Sequence, residues 1–216
     1  MGLIKSLSEL FRPVLSDRTI LKYNKKGLLI EGELKESQIQ PNSIDLTLGD
    51  TWKTLKPNWS YDNKDIINPK KEVLYKEGTF MKRKIELPED DNDIVIPEQC
   101  YILKPKQFCL MASKEVLNIP NGVIAFVQGR SSIARLAVQT EQAGLIDAGF
   151  RGTITFEVFN QSDYPIILYP GMRIAQVYFF KAQYADKLYG SEKGSKYNGQ
   201  IEATGSKVYL DPELNK

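Results

Sequence analysis

Six short apolar runs, separated by Gly, Pro, Asn and Asp, set the tightest limit on how this 216-residue chain can fold. They fall at residues 28–30, 44–48, 94–96, 123–127, 153–159 and 174–180. Runs of this length with turn residues between them read as strands. The expectation is a mainly β, mostly antiparallel sandwich or distorted barrel. Helical spacing occurs only near the start. Leu3, Ile4, Leu7, Leu10 and Phe11 place an amphipathic helix over 2–11, ended before Pro13. Ser16 or Asp17 can cap a second short helix through Ile20 and Leu21, closed by Gly27. Residues 50–92, rich in Lys, Asp, Asn and Pro, read as an excursion from the core. Residues 186–216, with glycines at 190, 194, 199 and 205 among charges, read as a mobile tail.

Composition removes several function classes. With 29 basic and 27 acidic residues, the formal charge of +2 argues against nucleic acid or membrane as the main partner. Any anion binding must be local. The longest apolar runs, such as 177–180, are too short to span a bilayer, and residues 1–9 lack a signal-peptide layout. The loose match of residues 1–6 to a myristoylation pattern is read as chance. Cys100 and Cys109 lie in apolar stretches and are expected as reduced, buried thiols of a cytoplasmic protein. The chain has no histidine. Ser-His-Asp and Cys-His catalysis are therefore excluded, and a zinc site would need mainly carboxylate ligands. Acid–base work must fall to Glu, Asp, Lys, Tyr or water.

Four segments could carry chemistry. Residues 129–135 follow a strand-like run and lead into Ile133, Ala134 and Leu136, so they read as strand, glycine turn and helix start. Ser131 and Ser132 fit N-cap and first-turn positions, whose N–H groups suit phosphate oxygens, with Arg130 or Arg135 adding charge. The alternative is a plain cap with two solvated arginines. Residues 144–152 set three glycines around Asp147 and Phe150, a tight turn whose backbone approaches something closely. Asp147 there is a structural turn residue or a carboxylate near a sugar hydroxyl or a water. Over 153–159, a period of two puts Ile154, Phe156 and Val158 on one face and Thr153, Thr155, Glu157 and Phe159 on the other. Glu157 is a solvated strand residue or, if its face lines a pocket, a proton shuttle with a raised pKa. Tyr189, Lys196, Tyr197 and Gln200 belong to a disordered terminus or to a flap that orders over an anion.

In this order the segments resemble the dCTP deaminase branch of the dUTPase-like nucleotide hydrolases. Residues 15–18 and 40–49 look like that family's opening segments, and 129–135 like its phosphate and catalytic loop. Residues 143–157 are similar to its nucleoside turn and catalytic strand, and 170–172 with 196–200 to its closing segments. The resemblance implies a single domain over 1–216, a jelly-roll-like distorted β-barrel with short N-terminal helices and a flexible C-terminal tail. It implies a homotrimer with shared active sites. The substrate it implies is dCTP carrying Mg²⁺ on its phosphates, deaminated without zinc. By position, Glu157 is the implied general base, with Ser131 and Arg135 as catalytic neighbours and Arg130 and Ser132 at the phosphates. Asp147 matches the deoxyribose residue, Thr155 and Phe156 flank the base, and Tyr189, Lys196 and Gln200 close over the nucleotide. The chain departs from the family at 136–142, which has no His and carries Gln142 where Thr commonly precedes Ala143.

The reading that follows is hydrolysis of dCTP to dUTP and ammonia. Close to it stands a bifunctional enzyme that also cleaves the α–β phosphoanhydride, giving dUMP and diphosphate. A pure dUTP diphosphatase would not need Glu157, and a nucleotide sensor would need no general base.

Overall fold

The computed structural model describes residues 13–85, 94–140, 143–191 and 195–215. The helix expected over 2–11, and Gln142, lie outside them. The second helix is present. It is α1 (Asp17–Asn24), which buries Ile20 and reverses at Gly27, where φ is +71°.

The rest is β structure. The first half holds β1 (Leu29–Glu31), β2 (Ser43–Lys56), β3 (Trp59–Tyr61), β4 (Lys64–Ile66), β5 (Leu74–Thr79), β6 (Met81–Ile85) and β7 (Ile94–Leu103). Then come β8 (Phe108–Asn118), β9 (Val123–Gly129), β10 (Val138–Gln139), β11 (Leu145–Ile146), β12 (Arg151–Asn160), β13 (Ile166–Leu168) and β14 (Arg173–Lys181). A one-turn helix, α2 (Ser131–Ala134), stands between β9 and β10. The main sheet runs β10-β12-β8-β2-β14-β9-β11, with β1 added on β8 and β5 on β2. A second sheet runs β13-β7-β6, and β3 and β4 form a separate hairpin.

β2 explains why the main sheet wraps rather than lies flat. Its first residues pair with β14, from Ser43↔Tyr178 to Thr47↔Arg173. Its later residues pair with β8 and β5, and the register with β8 slips between Leu48 and Trp52. A strand that changes partners across a bulge bends one part of a sheet over another. Phe156, Met111, Ile44, Leu46, Val177 and Phe179 fill the space enclosed. Glu115 adds a polar strut: its carboxylate accepts from Gln38 Nε2 (2.8 Å), Thr47 N (2.8 Å) and Thr47 Oγ1 (2.6 Å), tying β8 to β2.

Two expectations need correction. Residues 50–92 are only partly an excursion. The β3–β4 hairpin projects, turning through Asp62 and Asn63 at φ +51° and +56°, the backbone of a tight two-residue hairpin turn. The second half of β2 and all of β5 belong to the main sheet, however, and Val73 and Phe80 are buried. β8 as a full strand was not among the expected runs. Its residues 109–113 are buried without alternation, because a central strand covered on both faces carries no period of two.

Both cysteines are reduced and buried, as expected. Burial pushes the Cys109 thiol up to about 11. At pH 8 iodoacetamide should leave Cys109 unmodified in the folded protein and alkylate it in denaturant. Fast labelling of the native protein would contradict this environment. Among the described residues no helix is long and apolar enough to cross a membrane.

Candidate active site

β12 carries Glu157, and a bulge decides what stands beside it. The register with β8 slips between Thr153 and Thr155. Thr153 is consequently buried, while Ile154, Thr155 and Glu157 all line one pocket. Ile154, expected on the core face, therefore forms part of the pocket wall. Phe156, expected beside a base, has its ring fully buried in the core. The pocket measures about 570 Å³. Asp147, Thr155, Glu157 and Gln200 are set among the apolar and aromatic residues Val127, Leu145, Phe150, Tyr189, Tyr75 and Leu110. A mostly apolar cleft with a few polar groups is the usual form of a small-molecule site.

The glycines of residues 144–152 admit the protein's own chain. A Cβ at Gly144 would stand 2.4 Å from the Val127 carbonyl oxygen on β9. At Gly149, where φ is +93°, it would stand 2.7 Å from Leu188 Cβ, and at Gly152 2.8 Å from the Gln200 carbonyl oxygen. The C-terminal segment packs into that space. Gly199 N donates to the Arg151 carbonyl (2.6 Å), Thr153 N to the Gln200 carbonyl (2.9 Å), and Gln200 Nε2 to the Thr153 carbonyl (2.6 Å). Gln200 Oε1 is enclosed and finds no hydrogen-bond partner among the described residues. Tyr189 packs on Phe150 at 5.9 Å between ring centres. The segment expected as a tail or flap is thus docked, over its described residues, as a wall of the pocket. Asp147 stays exposed on the rim. Lys196 does not line the pocket; it pairs with Asp211 at 2.6 Å, and that hydrogen bond raises its pKa.

Residues 130–132 line a different depression. α2 starts one residue earlier than the sequence suggests: Arg130 is the N-cap, and Ser131 and Ser132 are its exposed first positions. First-turn N–H groups have no acceptor within a helix. Arg130, Ser131 and Ser132 face Gln40, Asn42, Asp45 and Gln176 in a pocket that shares no residue with the Glu157 pocket. Arg135 is exposed and lines neither. Within one chain, then, Asp147, Thr155, Glu157, Tyr189 and Gln200 come together. Arg130, Ser131 and Ser132 form a second group apart from them.

Two residues were assigned no role from sequence. Asp45, 1% exposed, holds Arg173 at 3.0 Å and Arg130 at 3.4 Å and accepts from Gln40 Nε2 at 3.3 Å. Arg130 also donates to the Arg173 carbonyl at 3.1 Å. An acid inside the apolar run at 44–48 was the available signal, but its arginine partners lie far along the chain. Tyr75, in the supposed excursion, lines the Glu157 pocket.

A protein from Sulfurihydrogenibium named "dCTP deaminase, dUMP-forming" is 39% identical over 200 residues, covering 92% of this chain and 98% of its own. One of the same name from Methanobrevibacter smithii is 37% identical over 208 residues, covering 94% and 99%. The 2'-deoxycytidine 5'-triphosphate deaminase of Agrobacterium tumefaciens superposes with a TM-score of 0.55 at 21% identity, over 79% of this chain. This chain matches about half of that longer one (48%), and the likeness speaks for the fold. A family model described as dCTP deaminase-like matches residues 14–182. With the mainly β fold and relatives aligned over nearly their whole length, the chain belongs to the dCTP deaminase family.

Proposed function

We propose that this protein converts dCTP to dUMP, ammonia and diphosphate in the cytoplasm. Of the two deaminase readings open from sequence, this is the bifunctional one, and the dUMP-forming names of the relatives support it over release of dUTP. The observation that carries it is the presence of two carboxylates, Glu157 and Asp147, in one pocket walled by Gln200 and Tyr189. Two hydrolyses need two activated waters.

In the first step Glu157 takes a proton from water as its oxygen bonds to cytosine C4. Glu157 returns that proton to N3, then carries the proton of the new C4 hydroxyl to the amino group, and the C4–N bond breaks as C4=O forms and ammonia leaves. In the second, a water oriented by Asp147 attacks the α-phosphorus, and the bond to the β-phosphate oxygen breaks to release diphosphate. Thr155 flanks the base, Asp147 lies at the deoxyribose, and Tyr189 and Gln200 close over the nucleotide. Arg130 and Ser132 hold phosphates; guanidinium and N–H groups suit phosphate oxygens and repel a cation, so Mg²⁺ arrives on the triphosphate.

Ser131 and Arg135 act at Glu157 from a neighbouring subunit of a homotrimer. The separation of the two pockets within one chain supports this sharing. So does an apolar surface beside the loop, where Phe126 and Leu145 are cross-strand partners, 42% and 54% exposed.

The test is incubation with dCTP or dUTP and Mg²⁺, separating nucleotides while measuring ammonia and diphosphate. The expected result is one ammonia and one diphosphate per dUMP formed from dCTP. Ammonia with accumulating dUTP would reduce the reading to deamination alone. Diphosphate from dUTP with no ammonia from dCTP would overturn it in favour of a diphosphatase, and no product from either would point to a sensor.

A further inference from the structure

The wall that closes the Glu157 pocket has an anchor outside the segments discussed so far. After Gln200 the chain continues across the sheet face, and residues 204–206 line the same pocket. Thr204 N donates to Thr155 Oγ1 at 3.1 Å, and Ser206 N donates to Tyr75 Oη at 2.8 Å. Ala203 is buried in a small cluster with Leu110 and Ala112, against which Tyr75 and Phe108 pack. Between them Gly205 lies flat on the Tyr75 ring. A Cβ there would stand 2.3 Å from the ring edge. The φ of Gly205 lies outside the positive range that favours glycine, so closeness to Tyr75 is what demands the missing side chain.

From this geometry we infer that Tyr75 is a positioning residue of the nucleotide site: with Gly205 it forms a clasp that holds the C-terminal wall shut over the Glu157 pocket. The inference rests on the deoxynucleotide reading of that pocket for its kinetic consequence, but not for its structural one. Tyr75 acts through the wall. Its ring packs against the Ala203 cluster and close to Gly205, and its hydroxyl accepts from Ser206, while Thr155 supplies the second fixed point from β12. Burial pushes the Tyr75 hydroxyl above its ordinary pKa, so it remains a neutral phenol at physiological pH.

A clasp that sets the closed fraction changes apparent affinity in proportion to that fraction and leaves the closed complex chemically unaltered. Tyr75→Phe loses one hydrogen bond and keeps the ring, so KM for dCTP should rise about three- to tenfold with kcat little changed. Tyr75→Ala should raise KM further and expose residues 195–208 to proteolysis and amide exchange, with unfolding midpoints confirming that the rest of the chain stays folded. Gly205→Ala should open the wall of the wild-type protein in the same way. In the Tyr75→Ala background the added methyl no longer meets the ring, so the second substitution should add almost nothing.

Exchange and proteolysis are read without nucleotide, so they report on the clasp even in a protein that fails to deaminate dCTP. A fall in kcat with KM unchanged for Tyr75→Phe would overturn the positioning role. Full additivity of the Tyr75 and Gly205 effects on exchange, or no effect of either, would overturn the clasp itself.

Discussion

Glu157→Gln should abolish ammonia release from dCTP, with a loss of at least about 100-fold in kcat, because removing a general base typically costs 10²–10⁴-fold. Glutamine keeps the shape of the side chain and its place on β12, so nucleotide binding by calorimetry should stay close to wild type. The substitution also divides the two hydrolyses. Cleavage of the α–β phosphoanhydride is assigned to a water oriented by Asp147, so the variant should still convert dUTP to dUMP. Retained ammonia release would rule Glu157 out as the base. Loss of both activities together with loss of binding would make it a residue of the pocket wall rather than of the chemistry.

The second large effect is expected at Asp45. Its buried carboxylate is the shared partner of Arg130 and Arg173, and Asp45→Ala would leave the two guanidiniums facing each other. Removing one member of a buried ionic cluster commonly costs about 3–5 kcal/mol. Here the arginine side chains are 25% and 39% exposed, and water reaches them, so about 2–3 kcal/mol is expected. Urea unfolding should show a lower midpoint with an unchanged slope. Because Arg130 is proposed to hold phosphates, dCTP affinity should fall as well. Asp45→Asn, which keeps an acceptor but no charge, should fall between the two. A stability loss below about 0.5 kcal/mol for Asp45→Ala would place it among ordinary surface substitutions.

Much of the fold was legible because strand signals are local. The runs at 44–48, 123–127 and 174–180 sit within β2, β9 and β14, where one face meets the core. β8 escaped because residues 109–113 are covered on both sides. β5 escaped because its strand pattern is weak, with Lys76, Glu77 and Gly78 in a row; only pairing with β2 makes it a strand. The site shows the same division. Glu157 was placed on a polar face and does line a pocket; Ile154 packs against the core as assigned but lines that pocket too, and no residue pattern announces the bulge at 153–155 that allows it. The glycines at 149 and 152 correctly signalled a close approach, yet what approaches them comes from 188 and 200. The arginines of Asp45 and the Ser206 partner of Tyr75 lie far along the chain. Such pairings are fixed by topology, which composition and period do not encode.

The docked C-terminal segment has a consequence for how the protein comes into being. The sheet is complete once β14 ends at Lys181, so a nascent chain owns its core before it owns Gln200, Thr204 or Ser206. During synthesis the cleft beside Glu157 is an open groove on an otherwise finished scaffold. The walled cleft is therefore acquired after the core, and a chain shortened before Gln200 is expected to fold with an unwalled site.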